Sequence, residues 1–359
     1  MADLMTATAN YTVLENKYGN FVVPAMKIKS SGRELISSLD LSVTELMVTL
    51  SLETAGMAII KIADAYDVEG HKFDSKIKNS FKLGTVMEIE LGYLSYTTPV
   101  FKGYVAGVGA EFDSFPLLVI KLMDVRKLMM SAGTKNVLYD DKNYSDVFKK
   151  VMKGYSKLCS VSCDATNDRL TKPISQSTND YNFVKNELLK KGKSEREFFV
   201  FLDKAYFRIP GKNKTPIMTV NYGRELLRFS MMADYLDMNI EVVGYDPINC
   251  QEISFKSKVK SPEKQVAIIT PSPTQLYVDA DADNEAKAKT RAEAIAKAEV
   301  MKTCFAEGEL IGLPEIVPGR YIKVDALEDM VDKKYYISEV VHTISGSRFT
   351  TVFETKGWI

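Results

Sequence analysis

The sequence predicts a mainly β protein with an α+β insert: two related antiparallel β-barrel domains plus a smaller α+β domain. Three observations carry this. Alternating apolar patterns fill residues 24–130, helical spacing takes over in the middle of the chain, and the strand pattern of the first region returns at the C-terminus. At 359 residues the chain is long for a single core. We divide it into an N-terminal arm (1–23), a first barrel (24–130), an α+β insert (131–225) and a second barrel (226–359) that includes a loop (257–284) and a helix (284–305).

In the first region, GTVMEIELGY alternates Met87, Ile89, Leu91 and Tyr93 on one face with Glu88 and Glu90 on the other, which predicts a strand with one buried and one wet side. PVFKGYVAGVGAEF follows, with Tyr104, Ala106, Val108 and Ala110 on one face and glycines at 103, 107 and 109 on the other; glycine within a strand marks a bend or a close backbone approach. FPLLVIKLMDV adds a further strand. With a polar stretch near 70–82 as the one interruption, the pattern fits a small closed barrel or a sandwich.

NYSDVFKKVMKGYSKL places Val147, Phe148, Val151, Met152 and Tyr155 at helical spacing, with Ser145 as N-cap. DYNFVKNELLKKGK predicts a second helix ending near Gly192, and FFVFLDKAYFRIPG an aromatic strand pair. Strand patterning resumes at LLRFSMMAD and NIEVVGYD; the Pro-, Ser- and Asp-rich stretch with TPSPTQ reads as an exposed loop. NEAKAKTRAEAIAKAEVMKTCF is an Ala-rich helix whose stripe of Ala288, Ala292, Ile295 and Ala298 would let it lie close against a sheet.

The C-terminal strands GRYIKVDAL, YYISEVVHTIS and RFTTVFETKG follow the order of GTVMEIELG, FKGYVAGVGAEF and LLVIKLMDV. Gly84 to Phe101 and Gly319 to Tyr336 both span 17 positions. An internal duplication with the middle segment between the copies accounts for this, although two three-strand meanders also resemble each other without one.

Lys+Arg and Asp+Glu both number 47, so no basic excess is present to neutralise nucleic-acid phosphates or anionic lipid head groups. The start, MADLMTATAN, does not read as a secretory signal, and no apolar run reaches the roughly 18 residues of a membrane span. Cys159, Cys163, Cys250 and Cys304 are too scattered for a disulfide framework and read as small buried apolar residues.

Chemistry is sparse. His342 lies inside a strand pattern and reads as packed or pore-side, and His71 as solvated. Cys159 and Cys163 lack the second pair a zinc site needs. No GxGxxG, P-loop or GxSxG pattern occurs, and Glu187, Glu195, Glu197 and Asp203 read as solvated charges among lysines. No catalytic residue, metal or cofactor is expected.

NIEVVGYDPINCQEISFKSK resembles the strand, turn and strand that open the second barrel of phage late control gene D proteins and of the N-terminal half of VgrG spike proteins. EGELIGLPEIVPGRYIKV with KYYISEVVHTISGSRFTTVFE is similar to that barrel's closing strands, VFKGYVAGV and LGTVMEIELGY to strands of the first, and QSTNDYNFVKNELLKKG to the family's middle segment. The resemblance implies two tube-type barrels per chain and three chains per ring: a trimeric baseplate hub that adapts a sixfold tail tube above to a threefold spike below. Its implied partners are a homotrimer of this chain, the tube protein, the spike protein and other baseplate subunits, with no nucleic acid and no membrane insertion. It further implies assembly in the bacterial cytoplasm into a virion tail or a secreted contractile particle.

The residues it points to are structural: Gly84, Gly92, Gly103, Val242, Gly244, Asp246, Gly319, Tyr336 and His342. VgrG chains continue into a needle, whereas this sequence stops at Ile359, so the spike is expected to be a separate polypeptide. Two other readings stay open: a tail-associated cell-wall hydrolase using a carboxylate such as Glu187, and a tail-tip binding protein with Tyr206 and Phe207 as its platform.

Overall fold

The computed structural model describes residues 3–166, 170, 172–190, 196–325 and 327–359, and it is mainly β with a smaller helical content. The alternation of the first region becomes six strands: β1 (Pro24–Ser30), β2 (Ser42–Ser51), β3 (Met57–Ala63), β4 (Val86–Tyr93), β5 (Tyr96–Phe112) and β6 (Pro116–Met123). Their order in the sheet is β2-β3-β6-β5-β4-β1, every neighbour antiparallel. The polar interruption contains a short helix, Ser75–Ser80, whose N-terminal amides are capped by Asp74.

The middle segment builds α2 (Val125–Ser131), α3 (Tyr144–Lys153), a short helix α4 (Asp180–Phe183) running into a wider turn, and strands β7 (Ser160–Cys163), β8 (Glu197–Phe201) and β9 (Lys204–Arg208); a further helix, α1 (Tyr11–Lys17), lies in the N-terminal arm. Asn143, not Ser145, stands at the N-cap of α3. Ser145 lies inside the helix, buried, where its hydroxyl meets the hydroxyl of Thr166 at 3.3 Å. The expected helix end near Gly192 lies outside the described residues. The insert has its own core, in which Val125 and Met129 of α2 join Phe148, Phe183, Phe198 and Phe207.

The second strand-rich region again contains six strands: β10 (Pro216–Asn221), β11 (Leu226–Ala233), then, after an interruption, β15 (Cys304–Ile311), β16 (Tyr321–Asp325), β17 (Lys334–Ser345) and β18 (Arg348–Trp358). The sheet order, β11-β15-β18-β17-β16-β10, repeats that of the first half strand for strand. β10, which the sequence reading assigned to the insert, thus pairs with β16. One difference breaks the match: β1 is antiparallel to β4, whereas β10 is parallel to β16.

The interruption is a unit of its own. β12 (Asp237–Asp246), β13 (Gln251–Lys260) and β14 (Thr274–Val278) form a separate three-stranded sheet covered by α5 (Glu285–Lys302). The sequence reading took 257–284 as loop; β13 runs on to Lys260 and β14 lies within it. Ala288, Ala292, Ile295 and Ala296 are the buried residues of α5, Ala298 only half-buried. In the first half the equivalent connection between β2 and β3 is only the turn 52–56.

The halves agree in register as well as order. In each, a β-bulge sits at the same place: in β5 between Val105 and Gly107, in β17 between Ile337 and Glu339. The second strand of each half also shifts register near its start, between Val43 and Glu45 in β2 and between Leu226 and Arg228 in β11. The Gly84 amide donates to the Val105 carbonyl at 2.9 Å, and the Gly319 amide to the Ile337 carbonyl at 2.9 Å. Val105 and Ile337 are therefore counterparts, as are Tyr104 and Tyr336, which face Val86 and Tyr321. The equal 17-residue spacing noted in the sequence joined positions that are not equivalent: Phe101 faces Ile89, further along a longer hairpin.

The bulge also corrects the face assignment of β5. An extra residue on one strand reverses the alternation beyond it, so Tyr104 and Val108 do not share a face as strict alternation required.

All twelve strands belong to one continuous sheet, whose thirteenth member is the short strand Arg33–Glu34. The halves join where β17 pairs antiparallel with β2, from Glu339 opposite Ser51 to Ser345 opposite Glu45. A single core runs through both halves, from Leu46, Ile60 and Ile120 to Ile322, Val340 and Phe353.

Candidate assembly surface

Among the described residues no group of His, Cys, Asp and Glu side chains is placed to hold a metal ion, and no helix is long and apolar enough to cross a membrane. The residues singled out from the sequence are instead distributed over three structural settings.

Gly84 and Gly319 open the fourth strand of each half with φ of +83° and +78°, a left-handed conformation that glycine adopts without strain. Gly92 and Gly103 are tight approaches: a Cβ would lie 2.0 Å from the Tyr96 carbonyl oxygen at the first and 2.4 Å from that of Met123 at the second.

Val242, Gly244 and Asp246 lie on β12, in the inserted unit. Val242 is fully buried against α5, a Cβ on Gly244 would meet the Ala282 carbonyl oxygen at 1.9 Å, and the Asp246 carboxylate accepts from the amides of Ile248 and Asn249 in the following turn. These hydrogen bonds, with that from the Asn249 side chain first among them, hold Asp246 below the usual carboxylate range. The three residues that the sequence placed in a strand of the second barrel are therefore outside the main sheet.

Tyr336 and His342 are both fully buried on β17. The Tyr336 hydroxyl donates to Glu197 at 2.7 Å; Glu197 also accepts from Arg208 Nε at 2.9 Å, and Arg208 Nη2 donates to the Gly319 carbonyl at 2.5 Å. Burial, and next the Glu197 carboxylate, push the Tyr336 phenol well above its ordinary range. This buried network bolts the β8–β9 hairpin of the insert to the second half. It also corrects the reading of Glu197 as a solvated charge; Glu195 lies outside the described residues. His342 faces Val48 of β2 across the junction between halves, with Nδ1 2.9 Å from the Thr351 hydroxyl, and burial lowers its pKa to about 3.

A second buried network went unread in the sequence. Asp124, at the end of β6, accepts from the Gly56 amide at 2.7 Å and from Arg126 Nε and Nη2 at 2.9 and 2.7 Å, while Arg126 Nη1 donates to the Ser51 carbonyl at 2.8 Å. It locks the 52–56 turn onto the start of α2. The only trace in the sequence is an Asp directly before a helix, which reads as an ordinary N-cap.

Tyr206 and Phe207 are buried, Tyr206 stacked on Phe199 at 4.9 Å and Phe207 on Phe148 at 4.6 Å, so they offer no binding platform. Of the cysteines, Cys159 and Cys304 are buried as expected, but Cys250 is exposed in the turn after β12.

What the structure leaves open is strand edge. Among the described residues no strand pairs with the outer edge of β5 at 107–112 or with that of β11 at 228–233.

The model of the Alg8 N-terminal domain matches residues 21–346, which is nearly the whole of the paired sheet. The chain belongs to the Alg8 N-terminal domain family. No curated protein matches it in sequence. Among solved structures, this Alg8 N-terminal domain chain is similar to a tail protein of Neisseria meningitidis MC58, at TM-score 0.68 and 12% identity over 93% of this chain and 97% of that one. It is also similar to the 43 kDa tail protein of prophage MuSo2 from Shewanella oneidensis, at TM-score 0.67 and 12% identity over 92% and 98% of the two chains. An E. coli protein described as a component of the type VI secretion system matches at TM-score 0.56 and 11% identity, over 91% and 76%. At these identities what is shared is the fold, and it is a fold of phage tail proteins.

Proposed function

We propose that the chain is a structural, non-enzymatic hub subunit of a contractile tail or tail-like particle, three copies of which form a ring that adapts a sixfold tube to a threefold spike. The observation that carries this is the repeat: two six-stranded halves of the same strand order and matching bulges, joined edge to edge. Three such chains present six similar halves to one side while retaining true threefold symmetry on the other. The solved relatives named as tail and type VI secretion proteins support the setting. On this reading the partners are a tube protein, a spike protein and other baseplate subunits, and the finished particle is a virion tail or a secreted contractile device.

Light scattering on the purified chain tests it. The expected mass is about 121 kDa, three times the 40.2 kDa of one chain, with particle images showing a ring of six similar lobes. A monodisperse monomer or dimer at high protein concentration would overturn the ring.

A further inference from the structure

We propose that neighbouring chains join by the same strand pairing that joins the halves within one chain: residues 107–113 of one copy pair antiparallel with residues 228–234 of the next. The proposal rests on the ring reading above and supplies its contact. Within the chain, β17 offers the edge beyond its bulge to β2. β5 is the counterpart of β17 and has the same bulge, but its edge is vacant; β11 is the counterpart of β2, and its outer edge is vacant too. Each chain therefore has one vacant copy of each of the two edges that meet in a junction whose geometry it already displays. A head-to-tail contact of this kind closes into a ring when its rotation permits.

Burial follows the same logic. Val340, His342 and Ile344 are buried beside the internal junction, whereas their counterparts Val108, Ala110 and Phe112 are exposed, Phe112 by 61% even though it packs near Tyr66. Leu46, Val48 and Leu50 are buried on β2, whereas Phe229, Met231 and Ala233 of β11 are only half-buried. An unprotected apolar edge is a liability that natural sheets cover.

The internal register fixes the external one. Val341 faces Thr49 and Ser345 faces Glu45, so Gly109 falls opposite Met232 of the next copy, Phe112 opposite Phe229, and Asp113 opposite Arg228. The last pair brings opposite charges together, and a second copy is the occupant whose strand has this length, register and charge.

Engineered cysteines test the register in the full chain, with exposed Cys250 changed to Ser. A Cβ at Gly109 meets nothing within 4 Å and Met232 is 66% exposed, so neither substitution disturbs the monomer. Facing residues of an antiparallel pair have Cα atoms about 4.5–5.5 Å apart, within disulfide reach. Gly109→Cys with Met232→Cys in one chain is expected to give, on mild oxidation, a covalent ladder ending at the trimer. Gly109→Cys with Ser230→Cys, displaced to a diagonal position about 7–8 Å away, is expected to give none. A 121 kDa assembly in which the first pair does not cross-link, or the second cross-links in its place, overturns this junction and leaves the ring reading standing. A chain that remains monomeric overturns both.

Discussion

His342 is a buried imidazole, and its cost appears as a pH dependence. Its pKa of about 3 in the fold lies below the ordinary 6.5, so the unfolded chain binds the extra proton first as pH falls. Its contribution is thus fully retained above pH 6.5 and is lost progressively down to about pH 3, by up to roughly 1.4 kcal/mol per pH unit. His342→Gln keeps a partner for Thr351 without titrating; urea midpoints measured from pH 7 to pH 4 should fall less steeply in this variant than in the parent. Equal slopes would show that His342 is not the group responsible. Arg126 makes a different prediction. Removing it by Arg126→Ala leaves the Asp124 carboxylate buried without its cation, and should cost about 3–5 kcal/mol in chemical denaturation. At this scale the sequence was legible where backbone geometry dictated the residue, as at Gly84 and Gly319. It was not legible for Glu197, whose partners Arg208 and Tyr336 are 11 and 139 positions away, because nothing local distinguishes a carboxylate that folding will bury.

At the scale of elements, strand alternation located β4, β5 and β6 and failed where a bulge adds a residue, since periodicity assumes an unbroken pleat. The unit 237–302 shows a second kind of limit. Its strands have ordinary alternation, and only pairing partners reveal that β12 and β13 belong to a separate sheet. This changes what a lesion there does. Val242→Asp, which the sequence reading would have expected to damage a barrel and block the ring, places a carboxylate in the small core beneath α5, at a cost on the order of that unit's whole stability. Limited proteolysis should open sites between 237 and 302 while residues 24–123 stay protected. Simultaneous loss of both regions would show that the unit is integral to the main sheet.

For the whole molecule, the duplication was visible as an echo of three strands and proves to be one of six. The missing three were obscured for identifiable reasons: β10 is short and enters in the opposite direction to β1, and β11 is separated from β15 by the inserted unit, whereas β2 and β3 are joined by a turn. What no sequence pattern exposes is that the halves share an edge. That sharing underlies the proposed ring, in which each junction between chains would copy the one within the chain.

The same shared edge imposes an order on biosynthesis. β2 leaves the ribosome well before the segment that covers it, 339–345, which is made roughly three hundred residues later. At about 5–20 residues per second the nascent first half waits some 15–60 s with a naked apolar strand at its border. Pairing so distant along the chain is slow to nucleate and open to capture by another nascent chain. Production of this protein is therefore limited by how long that border can be kept from the wrong partner, and slowing translation of residues 240–338 should raise the insoluble fraction.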